Sequence, residues 1–263
     1  MDSKDRREIE AYLEAPSKTR VISDVIRLYL GNKRSNPWFL DVGCGMGGYL
    51  LAAQQLGFQT IGFEPSTDHA HLAKDILNLP VINDYFSSEA VSGKQFDLIM
   101  LSHVIEHIYK PQDLISMLVA ALKPGGVLVV VTPNSDSIIA TLTGRSWVML
   151  KPIDHVSMIC SSAYQYFDLS IPVDIYHRWS EYPFEFVATV LASTRDWIFR
   201  RQTNKYPMAM NHSKPPVPPI LKTLGIRTKL LKAAFTALSF PIHLIAVWTN
   251  RQACLTTVLV RKG

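Results

Sequence analysis

Three cysteines in 263 residues, Cys44, Cys160 and Cys254, are too few and too scattered for a disulfide framework, and they fit a reducing, cytoplasmic setting. The N-terminal stretch MDSKDRREIEAYLE lacks the apolar core of a secretory signal and is patterned as a helix. Charged residues make up 19% of the chain against 48% apolar, which excludes both a disordered polyelectrolyte and a multispan membrane protein. Acidic side chains are nearly missing from the last quarter. Residues 195–263 carry 12 Lys and Arg and one acid, Asp196, whereas residues 1–194 carry 15 basic and 21 acidic side chains. Inside the basic quarter, residues 233–250 carry no charge at all. No internal repeat is present, and the length suits one large α/β domain with a substantial core.

What is there changes period along the chain. Ile9, Tyr12 and Leu13, then Val21, Ile22, Val25, Ile26 and Tyr29, recur at helical spacing up to Gly31 and Asn36-Pro37. From Trp38 the pattern alternates. WFLDVG, QTIGFE, PVIND, FDLIMLSHV and GGVLVVVTPN read as buried strands, separated by helices in GGYLLAAQQLG, in residues 66–77 with Ser66 as N-cap, and in PQDLISMLVAAL. SDSIIATL reads as a short helix, VDIYHRW as a sixth strand, residues 184–201 as an aromatic-rich helix, Lys214–Pro219 as an extended linker, and ACLTTVLVRK as a last strand. Apolar strands alternating with helices predict a parallel sheet covered on both faces.

The segment Asp41-Val42-Gly43-Cys44-Gly45-Met46-Gly47-Gly48 falls where the first strand turns into a helix. Glycines there let a ligand approach the helix N-terminus with no Cβ in the way. Gly43, Gly45 and Gly48 satisfy the dinucleotide fingerprint; Asp41, Gly43, Gly45 and Gly47 satisfy a D-x-G-x-G-x-G loop. Glu64, at the end of the second strand, is placed to accept from ribose hydroxyls, which both NAD and S-adenosylmethionine carry. Asp41 separates the two. A carboxylate repels a pyrophosphate at short range and favours the ammonium and sulfonium of S-adenosylmethionine.

FLDVGCGMGGYL (39–50), GFEPS (62–66), FDLIMLSHVIEHI (96–108) and LKPGGVLVVVTPN (122–134) together resemble the class I S-adenosylmethionine-dependent methyltransferases, close to the small-molecule and lipid methyltransferases that include the ubiquinone-pathway O-methyltransferases. The resemblance covers residues 38–134 well and extends more loosely to about residue 180 and the final strand. It implies an α/β, Rossmann-like seven-stranded sheet with helices on both faces and an antiparallel last strand, and the chain itself adds a C-terminal helical insertion before that strand. It implies S-adenosyl-L-methionine as cofactor. Asp41, Gly43, Cys44, Gly45 and Gly47 would line the methionine side and Glu64 would hold the ribose. Asn83, Asp84 and Tyr85 would lie by the adenine, although relatives often have Gly-Asp or Gly-Ser at Asn83-Asp84. Ser102 and His103 would face the cofactor.

His103, Glu106 and His107 spell H-x-x-E-H, an inverted zinc-protease motif. That motif needs a helix and a further acidic ligand, whereas His103 ends an apolar strand, so no metal is assigned. A hydroxyl acceptor needs a base to take its proton. His107 is the first choice and His155, in KPIDHVSM, the second; loop-orienting roles for Glu106, His107 and His155 are the structural alternative. The position after the fourth strand lacks the Asn/Asp-Pro-Pro-aromatic turn of base-amino methyltransferases, and no specific nucleic acid is expected.

Residues 233–250 would span about 27 Å as a helix, with Pro241 and His243 inside, which is short for a bilayer crossing. Basic flanks and Trp248 suit a cap over the acceptor site or an element lying on an anionic membrane surface, across residues 220–250. The domain reading is therefore 1–36 N-terminal helical cap, 37–183 cofactor-binding core, 184–250 insertion and 251–263 last core strand. The expected function is S-adenosylmethionine-dependent methylation, at oxygen, of a small, lipid-like or glycan-linked acceptor by a cytoplasmic protein peripheral to the inner face of a membrane. The alternatives are a non-catalytic S-adenosylmethionine-binding or membrane-associated interaction protein, and an NAD-dependent oxidoreductase.

Overall fold

The computed structural model describes residues 16–31, 35–91, 93–147, 149–151, 153–180, 241 and 244–263. The pattern around Ile9, Tyr12 and Leu13, the helix expected over 184–201, the segment Lys214–Pro219 and the basic run from Lys222 to Lys232 lie outside the described residues. The chain forms two compact units. One is drawn from Met1–Thr132, Val156–Arg178 and Leu255–Gly263, the other from Pro133–His155 and Trp179–Cys254.

The first unit opens with α1 (Pro16–Val25), which widens into a π-type turn over Ile26–Leu30. Gly31 closes it, in left-handed conformation, by donating its N–H to the Ile26 carbonyl at 2.9 Å. Strand β1 (Trp38–Val42) leads through the glycine loop into α2 (Gly48–Gln55) and β2 (Gln59–Phe63). Next come α3 (Thr67–His71), β3 (Val81–Ile82), β4 (Phe96–Ser102), α4 (Pro111–Ala121) and β5 (Leu122–Pro133). After α5 (Ile138–Thr143) in the second unit, β6 (Val173–Ser180) and β7 (Cys254–Arg261) complete a seven-stranded sheet of order β3-β2-β1-β4-β5-β7-β6. The strands expected from hydropathy are all present.

Strand direction follows from the pairings. Phe39 lies opposite both Thr60 and Leu98, and Val42 opposite both Phe63 and Leu101, so β1 is parallel to β2 and β4; β4 and β5 are parallel as well. At one end Asn134, just past β5, donates to the Ala253 carbonyl just before β7. At the other, the Arg261 guanidinium donates to the carbonyls of Ala120 and Leu122. β7 therefore runs antiparallel to β5, as the family resemblance implies.

Both sheet faces are buried, which explains the unbroken apolar strands. Phe39, Leu98, Met100, Val127, Val129 and Val258 pack in one cluster with Ile22, Leu50 and Ala53. Their alternates Leu40, Ile99, Leu101, Leu128 and Val130 are equally sealed. The chain leaves β1 towards β2 and leaves β4 towards β5 in opposite directions along the sheet. Right-handed crossovers then put α2 and α4 on opposite faces. Asp97, buried in β4, accepts from the Trp38 N–H at 2.8 Å and the Lys123 ammonium at 2.7 Å, and so ties the starts of β1 and β5 to β4.

Three boundaries depart from the sequence reading. The helix expected over 66–77 is α-helical only in α3 and continues as a wider turn over Leu72–Ile76, where Leu77 N–H bonds the carbonyl five residues back. Ser66 precedes it without a side-chain cap bond. Strand β4 stops at Ser102 instead of Val104, because His103 turns into the left-handed region with φ +54°. Strand β5 starts at Leu122 instead of Gly125. A register shift between the Phe96–Leu122 and Leu98–Val127 pairs absorbs the extra residues at Gly125, whose φ is +70°.

In the second unit, Ser137 caps α5 by accepting from Ala140 N–H at 3.1 Å, and Arg251 bonds the Asp136 carbonyl and the Thr141 hydroxyl, each at 2.7 Å. Residues 244–248 are helical. Ala246 is buried there, while Leu244, Ile245 and Trp248 are more than half exposed. Among the described residues no helix is long and apolar enough to cross a membrane.

Candidate cofactor site and the loops that build it

In this sheet order the strands diverge in sequence between β1 and β4, and the crevice beyond their carboxyl ends is where open α/β sheets bind ligands. The loop after β1 turns sharply there. Gly43, Gly45 and Gly47 all have positive φ (+73°, +54° and +88°), a conformation that costs L-residues about 1 kcal/mol each. Two of them also lack room. A Cβ on Gly43 would come 2.3 Å from Val104 Cγ2 and one on Gly47 2.3 Å from Leu79 Cδ1. Gly45 is different, because a Cβ there meets nothing within 4 Å. Its backbone faces open space.

Glu64 organises this loop. One carboxylate oxygen accepts from Gly45 N–H at 2.7 Å and the other from Ser66 N–H at 2.8 Å. Each oxygen keeps a lone pair for a further donor such as a ribose hydroxyl. Asn83 latches the next loop to the same place, donating to the Glu64 carbonyl at 2.8 Å and the Pro65 carbonyl at 3.3 Å. Asp84 accepts from Tyr85 N–H at 2.7 Å, and the Tyr85 ring is exposed, free to lie against a flat base. The sequence had grouped Asn83, Asp84 and Tyr85; the latch through Asn83 was not visible in it.

Asp41 is 1% exposed, and its Oδ2 is buried without a hydrogen-bond partner. Burial, and then the neighbouring Glu64 carboxylate, push its carboxyl up to about 8. A cation brought beside it would restore the ionised form. Burial, and then the two carboxylates, also push the buried Cys44 thiol up, away from the reactive thiolate form. The open backbone at Gly45, the orienting Glu64 and the orphaned acid fit a ligand that combines a ribose with positive charge, which is the make-up of S-adenosylmethionine.

The loop after β4 packs against the loop after β1 through Val104 and Gly43. Ser102 ends the strand, partly buried, and His103 N–H donates to the Val131 carbonyl at 2.8 Å. Glu106 is 1% exposed, with its Oε1 3.3 Å from His103 Nδ1 and its Oε2 accepting from the Thr132 hydroxyl at 3.3 Å. Burial acts to raise this carboxyl, but the bond from His103 and its own backbone, with the charges of His103 and His107, hold it below the usual carboxylate range. Thr132 was missed from the sequence; a lone hydroxyl in the run VLVVVT was the available signal. His107 lies exposed on the following 3-10 turn. His155 belongs to the second unit, where it is buried and its Nδ1 bonds the Met149 carbonyl at 2.7 Å.

Sheet order, glycine loop and acidic partner are those of class I S-adenosylmethionine-dependent methyltransferases. The chain belongs to the methyltransferase-domain family, whose model matches residues 12–165. It is 33% identical over 122 residues to the ubiquinone biosynthesis O-methyltransferase of Rhodopseudomonas palustris strain TIE-1, a match covering 42% of this chain and 46% of that protein. It is 29% identical over 117 residues to the enzyme of the same name from Cereibacter sphaeroides strain ATCC 17023, covering 42% and 47%. The chain thus spans about half the length of the curated relatives it matches. Among solved structures, a SAM-dependent methyltransferase from Archaeoglobus fulgidus superposes with a TM-score of 0.53 at 15% identity, over 99% of this chain and 100% of that one. The plantazolicin methyltransferase BpumL, solved with a triazolic desmethylPZN analog and SAH, gives 0.51 at 18% identity over 99% and 92%. These likenesses share the fold.

Proposed function

We propose that the protein transfers the methyl group of S-adenosylmethionine to a hydroxyl oxygen of a small, lipid-like or glycan-linked acceptor. The observation that carries this reading is the paired acid arrangement: Glu64 oriented on the Gly45 and Ser66 N–H groups, beside a buried Asp41 with an unpartnered oxygen. The cofactor supplies an activated methyl on a cationic sulfur. The protein's part is to bind it through Glu64 and the glycine loop, to keep Asp41 beside its positive charge, and to hold the acceptor in line. Charge is neutralised as the methyl moves, so a site that excludes water favours the reaction. A hydroxyl acceptor also needs a base, for which the sequence offers His107 first and His155 second, and the loop after β4 offers a third histidine, His103. The relatives named for O-methylation support oxygen as the methylated atom.

Calorimetry with S-adenosylmethionine tests the reading. Glu64→Ala removes the carboxylate that orients the loop and is expected to weaken binding about 100-fold, the order of a lost charged hydrogen-bond acceptor. Unchanged affinity in Glu64→Ala, or affinity for NAD in place of S-adenosylmethionine, overturns it. Release of S-adenosylhomocysteine in the presence of a native extract separates an enzyme from a binding protein.

A second reading concerns residues 220–250, which we assign to an anionic membrane surface. It is favoured by the exposed side chains of Leu244, Ile245, Val247 and Trp248 on one short helical stretch. Flotation with anionic and neutral vesicles is the test. Equal binding to both, or binding unaffected by Trp248→Ser, counts against it.

A further inference from the structure

The loop after β4 contains an arrangement that cofactor binding does not require. His103 holds a left-handed backbone, φ +54°, which swings its side chain out of the strand's alternation. Its ring is half exposed at the carboxyl end of β4, beside the crevice lined by the loop after β1. The carboxylate three residues on is sealed, and that carboxylate meets the ring at Nδ1. A second anchor, the Thr132 hydroxyl on β5, holds the other oxygen of Glu106, so the carboxylate cannot swing away without losing a buried bond. The loop itself is pinned from outside, since Ser157 N–H donates to the Glu106 carbonyl at 3.0 Å and the Ser157 hydroxyl to the Ile108 carbonyl at 2.6 Å.

An ionised carboxylate only accepts, so the 3.3 Å contact favours the tautomer with the proton on Nδ1. In that tautomer Nε2 bears the lone pair, on a ring that is half exposed, and a buried carboxylate stands at Nδ1 to stabilise an imidazolium. An oriented imidazole backed by a buried acid is the arrangement a general base needs. Histidine tolerates a φ of +54° better than most residues, so the mark of function here is the sealed carboxylate at Nδ1 and not the backbone.

We propose that His103 is the base that accepts the proton of the acceptor hydroxyl, and that Glu106 is its positioning residue. The inference rests on the transferase reading above and names the group that completes it. As the acceptor oxygen bonds to the methyl carbon, the carbon–sulfur bond breaks and its electron pair stays on sulfur. The hydroxyl proton passes to His103 Nε2, the imidazolium is held by Glu106, and the proton then leaves to water. The products are a methyl ether and neutral S-adenosylhomocysteine.

The test begins with the tautomer, which needs no acceptor. In the full-length 15N-labelled protein with S-adenosylhomocysteine added, the His103 ring signals are identified by their loss in His103→Asn, a variant that keeps a residue tolerant of left-handed φ. The Nδ1–H tautomer is expected. An Nε2–H tautomer overturns the proposal.

Turnover comes second, with a catechol probe. His103→Asn should lower kcat at least 100-fold, far beyond any accompanying loss of S-adenosylmethionine affinity. Glu106→Gln, which keeps the shape and removes the charge, should lower kcat about tenfold with KM within twofold, and Glu106→Asp should recover part of that loss. Retention of a third of wild-type kcat in His103→Asn, a loss of cofactor affinity that accounts for its defect, or a larger kcat loss in His107→Asn or His155→Asn each overturns the assignment. Failure of the wild-type protein to bind S-adenosylmethionine overturns the transferase reading instead and leaves the tautomer result standing.

Discussion

The carboxyl end of β1 and the loop that follows β4 each bury one carboxylate to 1% exposure, and the two acids, Asp41 and Glu106, end in opposite conditions. Asp41 has an oxygen with no partner and a carboxyl pushed up to about 8; Glu106 has both oxygens engaged and a carboxyl held below its usual range. Burial is common to both, so burial alone does not decide charge. Partners do. A buried acid already supplied with donors is suited to hold a neighbouring group in place, whereas one left without them is suited to receive a cation from outside.

The largest effect is expected where the loops touch. Gly43→Ala drives a methyl into Val104 and adds strain at φ +73°, and should lower the midpoint of thermal unfolding by the equivalent of about 2–4 kcal/mol. Gly45→Ala carries only the conformational cost, about 1 kcal/mol, yet should weaken S-adenosylmethionine binding as strongly, because its Cβ enters the open space at the loop. Equal destabilisation by the two would break the distinction between a packing glycine and a binding one.

Asp41→Asn should weaken cofactor binding about tenfold. In the wild-type protein, binding a cation below pH 8 must expel the Asp41 proton, so affinity should rise with pH and level off above about 8. Calorimetry in buffers of different ionisation enthalpy should register that proton, and the signal should vanish in Asp41→Asn. Without ligand the dependence is reversed. The folded protein holds a proton that the unfolded chain has released above pH 3.8, so stability from this group is full below about pH 4 and declines as pH climbs to 8. Asp41→Asn should therefore gain thermal stability over wild type as pH rises from 5 to 8; a constant difference would show that Asp41 is already ionised. The smallest effect belongs to the partnered acid: Thr132→Val removes one of its donors and should cost about 1 kcal/mol in denaturant unfolding.

Much of this was legible in one dimension. Hydrophobic period located the strands, because a strand buried on both faces must be apolar throughout, and Gly43, Gly45 and Gly47 announced a sharp turn before a helix. Asp41 and Glu64 were singled out by their distance from that turn. The ends of elements were less legible: β4 stops at Ser102 because one histidine adopts a left-handed backbone, and no local signal in LSHVIEH announces it. The sequence places His103 beside the cofactor and names His107 as base. The carboxylate on which the proposal for His103 rests is held from β5 by Thr132, 26 residues away in the chain, a contact no local pattern announces.

The sequence by itself determined the alternation of strand and helix, the glycine turn and the charge split between the acidic first three quarters and the basic last one. These depend on local period, residue type and composition. Tertiary structure decided which buried acid is satisfied and which is not. That property belongs to donors brought in from other strands, and only folding determines where they stand.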